Sequence, residues 1–144
     1  MIYFDTSYLV RLYFEDPGWG KVRELAATDQ VACGWHGHAE TLAAFHRKFR
    51  EGAIQAVYYQ ALLGQFAKDN AEDAYHWILQ GRDIADRVAQ VYGKLPESVS
   101  LRAGDAWHLA TALQQGLTAI YSNDSRLLAA APHFHLEGRN VLVA

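Results

Sequence analysis

The 144 residues include a single cysteine, Cys33, so no internal disulfide can form and the chain suits a reducing compartment. Prolines number three, Pro17, Pro96 and Pro132. No Pro/Gly-rich linker, low-complexity tract or internal repeat divides the sequence, and one domain spanning 1–144 is expected. No apolar run approaches the ~20 residues that a membrane span needs. The opening Met1-Ile2-Tyr3-Phe4-Asp5 has no basic region, and Asp5 and Arg11 interrupt its apolar character, so it does not read as a signal peptide and a cytoplasmic protein is expected. Positive charge is not in excess either: 13 Lys+Arg against 16 Asp+Glu leave −3, with no general attraction to nucleic acid or anionic membranes. Two divalent cations held by carboxylates would turn that sum into +1, so charge alone excludes neither.

What the sequence does have is core material. Hydrophobic residues make up 51% and aromatic residues 12%, which rules out a disordered chain. A chain of this length buries roughly 70% of its unfolded surface. Short apolar runs at Ile2–Phe4, Gln30–Cys33, Tyr75–Leu79, Thr118–Tyr121 and Val141–Val143 read as strands. Between them, helical periodicity covers Tyr8–Phe14, Gly20–Thr28, His36–Arg50, Ile54–Glu72, Arg82 to about Lys94, Arg102–Gln115 and Ser125–Ala131. Strands alternating with helices predict an α/β layer with a mostly parallel sheet, whose ligands sit outside the carboxyl ends of the strands.

Two acids fall at such ends: Asp5 after Ile2-Tyr3-Phe4, and Asp124 after Ala119-Ile120-Tyr121-Ser122-Asn123. Each also precedes a helix and is a favourable N-cap, but capping does not explain the pair in equivalent contexts on one sheet edge. Asp105 lies in the first turn of a nearly apolar helix and shares a face with Leu109 and Ala112. The helix dipole favours it there, yet a half-buried carboxylate still needs a partner. Gly104 before it permits close approach of backbone or ligand. Glu40 lies nearly opposite the apolar stripe His38-Leu42-Phe45-Phe49, so periodicity alone makes it a solvated residue beside Ala43, Ala44 and Arg47.

Four blocks carry a resemblance over essentially the whole chain. They are Ile2-Tyr3-Phe4-Asp5-Thr6-Ser7, Ala39-Glu40-Thr41-Leu42, Leu101-Arg102-Ala103-Gly104-Asp105-Ala106-Trp107-His108-Leu109-Ala110-Thr111-Ala112, and Ser122-Asn123-Asp124-Ser125-Arg126-Leu127-Leu128-Ala129-Ala130-Ala131. In this order and spacing the sequence resembles PIN-domain ribonucleases, specifically the VapC-type toxins of toxin–antitoxin pairs. The resemblance implies a three-layer sandwich with a central parallel sheet between helices, and a Mg²⁺- or Mn²⁺-dependent endoribonuclease. Its clustered acids fall on Asp5, Glu40, Asp105 and Asp124, its small hydroxyl residue on Ser7, and the polar residue before the last acid on Ser122 or Asn123. Asp5, Asp105 and Asp124 are then metal ligands, and Glu40 either a ligand or the group orienting the attacking water. Oxygen-only donors suit Mg²⁺ or Mn²⁺ rather than zinc, and four acids brought together without metal should raise at least one pKa. Trp107 and Gly104 vary the helix turn around Asp105 without altering the acid. The resemblance further implies a small antitoxin partner and a homodimer.

Other features have two readings each. His46-Arg47-Lys48-Phe49-Arg50 is a solvated basic face or, through Arg47, Lys48 and Arg50, a contact for RNA phosphates. Arg11, Arg102 and Arg126 stand near candidate acids and either hold substrate or pair with carboxylates at rest. Seven histidines invite zinc, but His36-x-His38 and His133-x-His135 lack a companion cysteine pair or an H-E-x-x-H run, which argues against a structural zinc site. His108, one turn from Asp105, touches substrate or packs. Trp19, Trp35, Tyr8, Leu12, Tyr13, Tyr58, Tyr59 and Leu62 are mostly core, and their surplus suits a groove for a partner helix. A haloacid-dehalogenase-type phosphatase also begins with a strand ending in Asp, but its second acid two residues on is here Ser7. The remaining alternatives are a non-catalytic module that binds RNA or protein, and a housekeeping nuclease outside any toxin pair.

Overall fold

The computed structural model describes residues 1–143; Ala144, the last residue of the expected domain, lies outside them. The strands are β1 (Ile2–Tyr3), β2 (Val31–Gly34), β3 (His76–Ile78), β4 (Ala119–Tyr121) and β5 (Glu137–Arg139). The helices are α1 (Thr6–Val10), α2 (Trp19–Ala26), α3 (Trp35–Arg50), α4 (Ala56–Ala71), α5 (Arg82–Tyr92), α6 (Ala103–Gln114) and α7 (Ser125–Ala130), the last running into a 3₁₀ turn over Ala131–Phe134. None of these helices is long and apolar enough to cross a membrane.

Every pairing is parallel. β1 lies beside β2 with Ile2 opposite Val31, and β2 beside β3 with Ala32 opposite His76. β4 lies beside β5 with Ala119 opposite Glu137. A single parallel bridge between Phe4 and Tyr121 joins the two ladders, giving the order β3-β2-β1-β4-β5. From β1 the chain steps outward through β2 to β3, then crosses back to place β4 on the other side of β1. The strand order therefore reverses between β1 and β4, and in open parallel sheets that crevice is where ligands bind. β2 is buried at all four positions, as a strand covered by helices on both faces must be.

The main core surrounds the sheet, with Tyr3, Phe4, Tyr8, Leu9, Leu109 and Ile120 among its fully covered side chains. A second cluster, Val10, Phe14, Phe45, Leu62 and Phe66, ties α1 and the turn after it to α3 and α4. Phe45 meets Tyr13, Phe14 and Phe66 edge-on at ring separations of 5.3–5.7 Å.

The strand expected over Val141–Val143 is not formed. Its amides are drawn away sideways: Val141 N donates to the Tyr8 hydroxyl at 2.7 Å and Leu142 N to Asn140 Oδ1 at 3.0 Å. The fifth strand is instead Glu137-Gly138-Arg139, a short polar edge strand of the kind that discourages pairing with other chains and gives periodicity little to detect. Glycine suits position 138, because a Cβ would sit 3.1 Å from the backbone of Leu128 and push it back by a few tenths of an ångström. The helix expected over Tyr8–Phe14 starts earlier and is shorter, Thr6–Val10, because the Asp5 side chain caps it by accepting from Tyr8 N at 3.2 Å.

Candidate active site

Asp5 leaves the end of β1 and is 4% exposed. Its Oδ1 accepts from Ser7 Oγ at 2.6 Å as well as from Tyr8 N, and its Oδ2 accepts from Ser122 Oγ at 2.5 Å. Burial raises its pKa, against the opposing pull of His108 and of these three donors. The two hydroxyls also bind the segment after β4 to β1: Ser7 Oγ accepts from Asn123 N and Ser122 Oγ from Asp124 N, both at 2.9 Å. Ser122 thus serves Asp5 directly, whereas the Asn123 side chain turns away to accept from Asn140 at 3.3 Å.

Asp124 caps α7 through Oδ1, which accepts from Arg126 N and Leu127 N at 2.8 and 3.3 Å. Its Oδ2 accepts from Arg102 Nη2 at 2.5 Å, so one carboxylate both starts a helix and faces the cleft. Asp105, in the first turn of α6, accepts from Arg102 Nε at 3.2 Å. Burial raises the Asp105 pKa despite the guanidinium, with the Asp124 charge adding to the rise.

Glu40 is not the solvated residue that periodicity predicts. It is half-buried, and Oε1 accepts from Thr6 Oγ1 at 2.9 Å and from His108 Nε2 at 2.6 Å. Burial works to raise its pKa, but the His108 hydrogen bond and charge, with His36 and Thr6, override it and hold the carboxyl at about 2. Gly104 makes this approach possible: a Cβ there would lie 3.1 Å from Glu40 Oε2. His108 is 1% exposed and its other nitrogen, Nδ1, is 2.8 Å from the Tyr3 hydroxyl. The sequence signals for this network are the i,i+4 pair His36–Glu40 and a histidine inside an otherwise apolar helix.

All four acids line one open cleft of about 630 Å³, at the point where the strand order reverses. Arg47, Lys48 and Arg11 line it too, and Lys48 Nζ pairs with Asp16 at 3.0 Å. Arg102 lines the cleft as a resting partner of two acids, while Arg50 and Arg126 lie outside its lining. The three aspartates offer only oxygen, two of them with pKa values raised by burial, so a hard dication would relieve the charge they carry together. That donor set fits Mg²⁺ or Mn²⁺.

A profile of the PIN domain family matches residues 2–132. No curated protein sequence matches the chain. Among solved structures, FitAcB from Neisseria gonorrhoeae superposes with a TM-score of 0.76 at 16% identity, covering 97% of each chain. The sarcin–ricin loop cleaving toxin VapC20 of Mycobacterium tuberculosis gives 0.69 at 20% identity over 90% of this chain and 95% of that one. VapBC2 from Rickettsia felis, bound to a DNA fragment from its promoter, gives 0.68 at 15% identity over 97% and 98%. At these identities the likeness is one of fold.

Proposed function

The chain belongs to the PIN domain family, and from that premise we propose that it is a Mg²⁺- or Mn²⁺-dependent endoribonuclease acting as the toxin of a toxin–antitoxin pair. The observation that carries this reading is the arrival of Asp5, Glu40, Asp105 and Asp124, from four separate segments, on one cleft at the reversal of strand order. The toxin VapC20 and the toxin–antitoxin complexes of the same fold support the RNA substrate and the antitoxin partner.

In this reading Asp5, Asp105 and Asp124 hold the ion. When bound, it supplies Lewis-acid polarisation of the phosphodiester and activation of the attacking water. Ser7 and Ser122 fix the Asp5 carboxylate so that no rotamer search precedes binding. Glu40, ionised and anchored by Thr6 and His108, accepts hydrogen bonds from the water and orients it. Arg102, which pairs with Asp105 and Asp124 at rest, would be displaced from them by a bound ion and so be free to meet the RNA phosphate. Arg47 and Lys48 follow the backbone along the α3 wall. Hydrolysis by water leaves 5′-phosphate and 3′-hydroxyl ends. The exposed Trp35, Phe49, Val57 and Tyr58 offer apolar surface for the antitoxin or a second copy of the chain; each chain is a single PIN domain and acts in the cytoplasm.

The test is incubation of purified, antitoxin-free protein with total RNA and Mg²⁺ or Mn²⁺, beside Asp5→Asn and Asp105→Asn. Discrete fragments that vanish with EDTA and with either substitution are expected. Identical traces from folded wild type and variants would sink the reading and leave a binding module.

A further inference from the structure

The acidic cleft uses Glu40 only in part, because its Oε1 is turned toward nitrogen rather than toward the other acids. His108 Nε2 lies 2.6 Å from that oxygen and His36 Nε2 3.5 Å. Among the described residues, His36, Glu40 and His108 are the one trio of His, Cys, Asp or Glu side chains whose donor atoms all lie within 4.8 Å of one another. The two imidazole rings are 4.0 Å apart, centre to centre, and they come from different helices, α3 and α6.

Each histidine is also held from behind. His36 Nδ1 faces the Gln80 amide, 2.8 Å from Nε2 and 3.2 Å from Oε1, so Gln80 can serve either tautomer. Gln80 is itself fixed by donating to Thr111 Oγ1 at 2.7 Å. His108 Nδ1 faces the Tyr3 hydroxyl at 2.8 Å, and that oxygen accepts from Gly34 N at 3.0 Å. A bare Nε2 facing Glu40 requires each ring's proton on Nδ1, where Gln80 Oε1 and the Tyr3 hydroxyl can accept it; at rest His36 keeps its proton on Nε2, 3.0 Å from the Gly104 carbonyl oxygen. Outer hydrogen-bond partners of this kind are the usual support of metal-binding histidines.

We propose that His36, Glu40 and His108 form a second cation site that takes a borderline transition-metal dication of the zinc class. Two imidazole nitrogens and one carboxylate oxygen are a donor set that zinc accepts and Mg²⁺ disfavours. Ligands 2.0–2.1 Å from a tetrahedral ion stand about 3.3 Å apart, between the 2.6 and 3.5 Å that separate the two imidazoles from Glu40, and the two imidazole nitrogens lie within 4.8 Å of each other. The ion replaces the proton that now lies between His108 and Glu40, while the single His36 proton moves from Nε2, where the Gly104 carbonyl accepts it at 3.0 Å, to Nδ1 and Gln80 Oε1. Glu40 is shared between this trio and the cleft. On the nuclease reading above, an ion at the histidines therefore takes that carboxylate away from the attacking water it orients.

The experiment uses the full chain without a polyhistidine tag, stripped of metal by chelator. Co²⁺ should give the visible absorption of a low-coordinate nitrogen–oxygen site and be displaced by one equivalent of Zn²⁺. His36→Gln and His108→Gln should each weaken zinc by about 100-fold, while Asp5→Asn and the double change His133→Gln, His135→Gln leave it unchanged. Circular dichroism and Tm establish that each variant is folded, and His36→Gln, at the more exposed ligand, keeps the test open if His108→Gln unfolds. Zinc affinity unchanged in His36→Gln overturns the proposal, as does affinity lost in Asp5→Asn, which assigns the ion to the acidic cleft. No RNA enters these measurements, so they stand or fall apart from the nuclease reading. Where cleavage is active, micromolar zinc should lower the wild-type cleavage rate, without rescue by added Mg²⁺, and leave the rate of His36→Gln unaffected.

Discussion

Arg102 Nη2 donates to Asp124 Oδ2 at 2.5 Å, while Nε of the same guanidinium reaches Asp105. The residue before α6 thereby links two of the four acids and supplies the positive charge that their proximity demands. The guanidinium occupies carboxylate oxygens that a metal ion would need.

Arg102→Gln should therefore bind Mn²⁺ more tightly than wild type, by roughly the 5- to 150-fold range of ordinary coupling between sites. The same variant should show a raised KM for RNA, since it has no guanidinium to meet the phosphate. Mn²⁺ titration by electron paramagnetic resonance reads the first effect and steady-state cleavage the second. Equal or weaker Mn²⁺ affinity would show that the guanidinium does not compete.

Ser122 and Asn123 should behave differently although they are adjacent. Ser122→Ala removes the hydroxyl that meets Asp5 Oδ2 in a fully buried position, at a cost of about 1–3 kcal/mol in stability, and it lowers the cleavage rate. Asn123→Ala removes only the contact to Asn140 and should stay close to wild type in both. Urea denaturation and cleavage rates of the two variants, side by side, decide this.

Acid should weaken the fold through His36. Burial and the neighbouring His108 charge lower its pKa to about 4, so the folded protein keeps the ring neutral where the unfolded chain, near 6.5, protonates it. Stability is full above that range and falls as pH drops from about 6.5 toward 4, by at most about 1.4 kcal/mol per pH unit for one proton. Glu40 extends the loss to lower pH: its carboxyl, held at about 2, contributes stability that disappears as pH falls from 4.5 toward that value. His36→Gln should flatten the first part of this profile and also trim the second, since His36 helps to hold the Glu40 carboxyl down. Urea midpoints between pH 7 and 4 check it, and parallel slopes for the two proteins would refute it.

Phe45→Ala should cost about 3–5 kcal/mol, because it empties the place where Tyr13, Phe14 and Phe66 meet. Chemical denaturation measures this directly. The loss should come with a fall in activity, since Phe45 fixes the helix that carries Glu40.

The strands and helices that face the core are legible because their apolar spacing is strong, and Asp5, Asp105 and Asp124 stand out because each breaks an apolar context. Glu40 does not. Its helix offers alanines and charges on that side, and only the fold reveals that α6 approaches through Gly104 and brings His108 to the carboxylate. His36 shares the difficulty: its partner Gln80 is 44 residues away. β5 escapes for the opposite reason, since Glu137-Gly138-Arg139 has no apolar signal and is a strand only because β4 offers an edge and Leu128 leaves room for a glycine. The apolar Val141-Leu142-Val143 reads as a strand and is not one, because the Tyr8 hydroxyl and the Asn140 side chain take its amides.

The contact between Ser122 and Asp5 spans 117 positions, and that separation has a consequence for the order of synthesis. Translation delivers the amino-terminal segments first. Asp5 is made long before its partners, and its carboxylate has no Ser122 donor, and the cleft no Asp124, until residues 122–124 have been synthesised. A chain stopped at residue 121 carries three acids, the β1 strand and the α3 wall, but not the site. The nuclease proposed here would come into being only once the segment after β4 has been made, leaving its ribosome an interval in which the growing product is harmless.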